Sequence, residues 1–331
     1  MLSHADRELR RGRITSSTAA AALGLSSWMS PLAAWVEIVE PHDEGTEIED
    51  DEQEDEEMLA HHERGHFLEP ALMEWAVHRL QRAGFVGADL GLRRPPTTIS
   101  ETLSWAADSV DGIVFDERGD VAALEAKTVA GGLQQWGEPE TDQVPAYVSI
   151  QCRWHMIMHD LPVCYVPMLG PRLALSLYVV RRDAAIESAL VDTLGAWHHV
   201  HVVGGVQPAA TGADERVLKR LFPRQRAGEL PDDLAIAMLV RQDVELRERL
   251  KADGEARSSV RAEIMDRLRD AEGCRGDGYS VTWKAGKDRT SIDHRALVEA
   301  LAPGPELVEA HTRVRPGARI LRTTWNPKED A

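Results

Sequence analysis

Cysteine is scarce in this sequence: Cys152, Cys164 and Cys274 are the only three in 331 residues. Their number and spacing exclude a disulfide framework, a zinc knuckle and a four-cysteine iron–sulfur site, and leave reduced, mostly buried thiols as the expectation. Long apolar runs are missing too. No stretch approaches the roughly 18 consecutive apolar residues of a membrane helix, and the opening MLSHADRELRRGR has no apolar segment resembling a signal peptide. A cytoplasmic protein without membrane contact is expected. No segment recurs at a fixed period, which argues against solenoids and propellers. Positive charge is in deficit: the net charge is −17, so the basic footprint that phosphate binders carry is absent from the whole-chain balance. The deficit is local, however. DEGTEIEDDEQEDEE, residues 43–57, holds eleven acids and no base, so it accounts for eleven of the seventeen charges and the rest of the chain carries −6. Basic patches can survive elsewhere, as RELRRGR near the N-terminus and RQRAGE after Pro223 suggest. The acidic run reads as a solvated, disordered loop, with a gate over a basic channel as the sharper alternative.

Against these absences stands an ordinary hydrophobic content of 43%, enough in a chain of this length for a substantial core plus one smaller appended unit. SSTAAAALGL, residues 16–25, opens on capping-type residues and ends at a glycine-containing turn, which predicts a helix; Pro31 suits the first position of a second helix over 30–40. From Phe67 to Leu80, Leu68, Leu72, Trp75, Ala76 and Leu80 recur at helical spacing, and Pro70 marks either the start of that helix or a kink in it. Residues 103–129 switch to a β-like pattern. A further helix over 145–158 leads into two strands, CYVPML and ALSLYVVRR. Helices, a hairpin, a helix and then more strands predict a mixed α/β core.

The hairpin carries the chemistry. DGIVFDERGDVAALEAK, residues 111–127, reads as two strands around a three-residue turn at Glu117, Arg118 and Gly119, with Gly119 taking a positive φ. A turn centred on Arg118 sets Asp111 opposite Glu125, with Cβ atoms roughly 4.5–5.5 Å apart, and Lys127 follows on the same face. Two carboxylates placed so repel unless protonated, solvated or bridged by a cation. Hard oxygen ligands suit Mg²⁺ or Mn²⁺, which keep waters available, and a neighbouring ammonium can orient such a water and offset charge developing on a phosphate. An exposed ion pair between Glu125 and Lys127, worth under about 1 kcal/mol, is the plain alternative. The apolar neighbours Ile113, Val114, Leu124 and Ala126 favour the functional reading, because charges within a buried sheet need a reason to be there. Asp108 competes with Asp111, and a shifted register would favour other partners.

Four segments occur in order over roughly residues 10–180: Arg10-Arg-Gly-Arg-Ile14-Thr-Ser-Ser17; Gly65-His-Phe-Leu-Glu69-Pro70; Ser109-Val-Asp111-Gly-Ile113 followed by Leu124-Glu125-Ala126-Lys127; and Tyr147-Val-Ser-Ile-Gln151-Cys-Arg-Trp-His-Met156. Together they resemble the PD-(D/E)XK nuclease superfamily and, within it, the lambda exonuclease and YqaJ-type viral recombinase group. The resemblance implies a restriction-endonuclease-like core, metal ligation by Asp111, Glu125 and the Ala126 carbonyl, and service of the nucleophile by Lys127. It implies that Glu69 projects toward the metal centre as a catalytic carboxylate and that Arg10 and Ser17 hold a 5′-terminal phosphate. Ser109 would add a phosphate contact, and Gln151 would position DNA or a ligand carboxylate. Plainer roles compete: a first-turn carboxylate for Glu69, a surface arginine for Arg10, an N-cap serine for Ser17, a surface or buried amide for Gln151. Val110 stands where the group usually has proline, and Arg153 where a second glutamine often occurs. The acidic insertion has no counterpart in the motif pattern.

Beyond about Thr211 the chain changes character. LAIAMLVRQDVELRERL and SVRAEIMDRLRDAE, separated by Ala252-Asp-Gly254, predict a helical hairpin of mixed charge; YSVTWKAGKDRTSID and RVRPGARILRTTW predict short strands around a helix over 295–301. The expected organisation is an α/β nuclease core with a mixed central sheet flanked by helices over 1–211, the acidic loop at 43–57, and a helical and small α+β extension over 212–331. The resemblance implies a Mg²⁺- or Mn²⁺-dependent exonuclease that degrades duplex DNA from 5′-phosphorylated ends to leave 3′ single strands for recombination. By the same analogy it would act as a homo-oligomer, a trimeric ring, with a single-strand annealing protein as partner. A related endonuclease or repair-complex nuclease subunit, and a scaffold that keeps the fold without catalysis, are the alternatives.

Overall fold

The computed structural model describes residues 4–40, 52–83, 90–131, 133–225, 227–286, 298, 300–312 and 321–323, and the chain divides into two compact units, 1–222 and 223–331. Three short helices open the first unit: α1 (His4–Arg10), α2 (Ser16–Ala22) and α3 (Pro31–Val39). Ser30 caps α3, its Oγ accepting from the Ala33 N–H at 2.9 Å, with Pro31 at the first helical position. The helix expected over 67–80 is much longer. α4 runs Glu52–Ala83 with Pro70 inside it. A mid-helix proline removes one backbone hydrogen bond and costs about 3 kcal/mol in isolation; the helix continues past it because Leu72, Met73, Ala76, Val77 and Leu80 are buried against the sheet. Residues 52–57 of the acidic run therefore start this helix instead of extending a loop, while residues 43–51 lie outside the described residues.

The central sheet has six strands: β1 (Gly91–Arg93), β4 (Gly112–Asp116), β5 (Gly119–Leu124), β6 (Lys127–Thr128), β7 (Val163–Leu169) and β8 (Leu175–Arg181); β2 (Thr98–Ile99) and β3 (Ala107–Asp108) pair separately. The order is β1-β4-β5-β7-β6, with β8 also on β7. β5 and β6 run parallel to β7 while the other neighbours are antiparallel, so the sheet is mixed, as expected. The crossover is α5 (Ala146–His159). One face packs Val114, Leu124 and Tyr165 against α4; the other packs Ile113, Ala123 and Cys164 against Val148, Cys152 and Met156 of α5. Covered on both faces, the hairpin strands read as nearly unbroken apolar runs.

The β4–β5 turn is tighter than expected. Asp116 pairs with Gly119, so the loop is Glu117 and Arg118 alone, and a bulge between Val114 and Phe115 takes up the odd residue. Gly119 does adopt a positive φ, 132°. Beyond the bulge Gly112 faces Leu124 and Ile113 faces Ala123, the register expected for the Asp111 end.

The first unit runs past residue 211, the boundary read from the composition, through α6 (Ala184–His198) and α7 (Glu215–Leu221) to Phe222. Asp214 ties this segment down: buried, it accepts from the Ser30 hydroxyl at the start of α3 and from the Thr211 N–H and hydroxyl. In the second unit the hairpin does not form. α8 (Leu234–Leu268) is one continuous helix through Gly254, followed by an antiparallel pair, β9 (Gly273–Gly276) and β10 (Tyr279–Thr282), and by α9 (Pro305–Ala310). Most of the helix expected over 295–301 and of the strands after Thr312 lies outside the described residues. A lone glycine costs a helix only about 1 kcal/mol and, with no proline near it, does not end one. Gly254 shows no left-handed φ, and a Cβ there would meet nothing within 4 Å. Gly254→Ala is therefore expected to stabilise the second unit by up to about 1 kcal/mol; a lower melting temperature by circular dichroism would mean that the chain bends there. Among the described residues no helix is long and apolar enough to cross a membrane.

Candidate active site

The strand ladder breaks at Glu125 and Ala126. β5 and β6 follow one line along β7, with Leu124 beside Tyr165 and Lys127 beside Met168, and Glu125 still donates its N–H to the Tyr165 carbonyl at 3.0 Å. Ala126 instead donates its N–H to Asp111 Oδ2 at 2.9 Å, which fastens the Asp111 carboxylate to the Glu125–Lys127 segment. Glu125 keeps the side-chain direction of Ala123, toward α5. Buried at 5% exposure, it accepts from Lys127 Nζ at Oε1 (2.5 Å) and meets His155 Nε2 at Oε2 (2.9 Å). The other ring nitrogen of His155, Nδ1, lies 2.7 Å from Asp108 Oδ2, and His159 Nε2 lies 3.1 Å from that same oxygen. Lys127 Nζ is 5.9 Å from the centre of the Tyr147 ring, within reach of a cation–π contact.

The remaining expected residues fall around this centre and in one further cluster. Glu69, on α4, pairs with Arg94 at 3.2 Å, and its charge acts on Asp111. Ser109 Oγ is 2.8 Å from Thr97 Oγ1. Gln151 carries a buried Oε1 with no hydrogen-bond partner among the described residues. Arg10 and Ser17 are brought together as the motif implies: Arg10 Nη2 donates to Ser17 Oγ at 2.8 Å and to Thr15 Oγ1 at 3.2 Å, with Glu37 at 3.9 Å. Arg153 is buried and donates toward the Arg181 carbonyl at 3.4 Å, on the β8 side.

Residues 7–161 match the family model described as the YqaJ-like viral recombinase domain. The matched segment is similar to that domain and spans a little under half of the chain. No curated protein sequence matches the chain significantly. Among solved structures it is similar to the alkaline exonuclease LHK-Exo from Laribacter hongkongensis, at 15% identity over 66% of this chain and 97% of that one, with a TM-score of 0.41. The same enzyme in complex with dAMP gives the same figures. Every site side chain described above lies within the matched segment.

Around Asp111 negative charge outweighs positive. Burial, then the charges of Glu125 and Glu69, push the Asp111 carboxyl well above the usual carboxylate range, against the pull of Lys127 and the Ala126 N–H. Burial pushes Glu125 up as well, but Lys127 and His155 outweigh it and bring it down to about 2. Lys127 is held above its ordinary value: burial opposes its charge, and Glu125 and Asp111 more than restore it. An ammonium held in that way donates hydrogen bonds, which suits orienting a water better than removing its proton. Among the described residues no three His, Cys, Asp or Glu side chains close on one point as a ready metal site. The donor set still fits a hard divalent cation that keeps several waters, because burial and the charges of Glu125 and Glu69 outweigh Lys127 at Asp111 and a cation there would offset them.

Asp108 does not compete with Asp111. It is fully buried in β3 opposite Thr98, where burial pushes its carboxyl up and the two histidines bring it well below the usual range. The sequence reading missed His155, His159, Thr15 and Arg94. A signal existed for the histidines: Tyr147, Gln151, His155 and His159 recur every four residues and so share one face of α5.

Proposed function

We propose that this chain is a divalent-metal-dependent DNA exonuclease acting on duplex ends that carry a 5′-phosphate. The observation that carries the reading is the junction at Glu125 and Ala126, where a strand interruption brings Asp111, Glu125 and Lys127 together inside the segment similar to the YqaJ-like domain. Asp111, Glu125 and the Ala126 carbonyl would hold Mg²⁺ or Mn²⁺, which when bound supplies Lewis-acid polarisation of the phosphodiester and a more acidic water. Lys127 orients the attacking water and offsets charge that develops on the phosphate. Glu69 adds negative charge on the α4 side. Arg10, with the hydroxyls of Thr15 and Ser17, offers a forked donor set to a terminal phosphate.

Digestion of linear duplex bearing 5′-phosphate or 5′-hydroxyl ends, with Mg²⁺ or with EDTA, tests this beside a closed circle. Nucleotide release from phosphorylated linear ends alone, only with metal, is the expected result. Cutting of the circle would replace the reading with an endonuclease, and no cleavage of any substrate would replace it with a non-catalytic DNA-binding or scaffold role. Charge-assisted hydrogen bonds contribute about 1.5–3 kcal/mol, so Arg10→Ala is expected to reduce the preference for phosphorylated over hydroxyl ends roughly 10–100-fold. An unchanged preference would assign the phosphate to other residues.

A further inference from the structure

Two consecutive residues of α5 are fastened to two consecutive residues of β3. Trp154 Nε1–H donates to the Ala107 carbonyl at 2.9 Å, and His155 Nδ1 lies 2.7 Å from Asp108 Oδ2. Trp154, His155 and Asp108 are all completely buried. With the ring so clamped, its far nitrogen has one place to go, Glu125 Oε2 at 2.9 Å. A glutamate's terminal torsion is broad and roughly two-fold, so an unheld carboxylate exchanges its two oxygens. Here each oxygen has its own partner, His155 for Oε2 and Lys127 for Oε1.

We propose, building on the nuclease reading above, that His155 is the positioning residue for Glu125: it occupies Oε2 and leaves Oε1, beside Lys127, as the oxygen presented to the divalent cation. Asp108 holds the ring and His159 steadies Asp108. A buried polar chain of this kind is expensive to keep in a core that apolar residues would fill as well. Asp108 even leaves its Oδ1 without a hydrogen-bond partner among the described residues. Fixing the geometry of a ligand accounts for keeping it, since groups that orient metal ligands typically contribute 10–100-fold in metal affinity.

The test is Mn²⁺ binding to the full chain by calorimetry, alongside the Mg²⁺ dependence of DNA digestion, for wild type, Asp108→Asn, His155→Gln and His155→Leu, each checked by thermal melt. Asp108→Asn keeps the side-chain shape and so reads the same contact if His155→Leu does not fold. The expected result is Mn²⁺ binding weakened roughly 10–100-fold in Asp108→Asn, with a matching rise in half-saturating Mg²⁺ and a much smaller fall in rate at saturating metal. His155→Gln, which retains a donor, should bind Mn²⁺ better than His155→Leu. A role confined to stability would lower the melting temperature and leave the metal dependence alone. Folded variants whose Mn²⁺ affinity stays within about two-fold of wild type overturn the positioning role while leaving the nuclease reading intact. Wild-type protein that neither binds Mn²⁺ nor digests DNA overturns both.

Discussion

Asp111→Asn is expected to abolish metal-dependent DNA hydrolysis and at the same time to raise the melting temperature of the metal-free protein. The two effects separate because they come from different properties of one carboxylate. Asn still offers an oxygen to the Ala126 N–H, the bond that fastens this residue to the strand junction. It removes the charge that burial, Glu125 and Glu69 oppose. A carboxyl whose pKa is higher in the folded state contributes stability that is fully present below its unfolded value and is lost as pH rises through the raised value. Above the ordinary carboxylate range Asp111 therefore works against folding, and the amide relieves it. Activity goes the other way. On the proposed reading a hard cation would lose an anionic ligand, and with it several kcal/mol of transition-state stabilisation, on the order of a 10³-fold fall in rate. Melting in EDTA and digestion in Mg²⁺ measure the two sides. A lower melting temperature would mean that the site is not electrostatically frustrated; retained hydrolysis would remove Asp111 from the metal.

Trp154→Ala is expected to produce the largest loss of stability of any single change in the first unit. Trp154 is fully buried among Ile14, Ala19, Ile38, Leu190 and Leu194, and its indole N–H is paired with the Ala107 carbonyl. Removing a buried tryptophan side chain costs about 3–5 kcal/mol through lost transfer energy and the cavity left behind. That is a large share of the 5–15 kcal/mol that typically holds a domain together. For a unit of this size each kcal/mol shifts the melting temperature by roughly 2–4 °C, so a fall of about 10 °C is expected. The variant should also lose activity ahead of its melt, because Trp154 precedes His155 and anchors the same turn of α5 to β3. A shift of a degree or two would show that the surrounding helices collapse into the space.

Much of the candidate site was legible because the interactions that place it are local. Alternating side chains and a turn with a glycine at Gly119 set the hairpin register, and that register survives at Gly112 and Ile113 although the loop is one residue shorter than expected. The bulge absorbs the difference before the register reaches the site. Ser30 and Pro31 marked the start of α3 for the same local reason. Long helices were less legible. Pro70 and Gly254 look like breaks in a sequence, yet their cost is a few kcal/mol at most, and packing overrides it in α4 while the helical preference of the flanking residues overrides it in α8.

Taken alone, the sequence determined what neighbours along the chain can settle: the mixed α/β order and the hairpin register that leads toward Asp111 and Glu125. Only the tertiary structure decided which oxygen of Glu125 meets which partner, that Asp108 makes a buried contact with two histidines, and that His155 stands between two carboxylates. Asp108 and His155 lie far apart in the chain and become neighbours only when α5 crosses back over the sheet, so no spacing or periodicity in the sequence carries that contact.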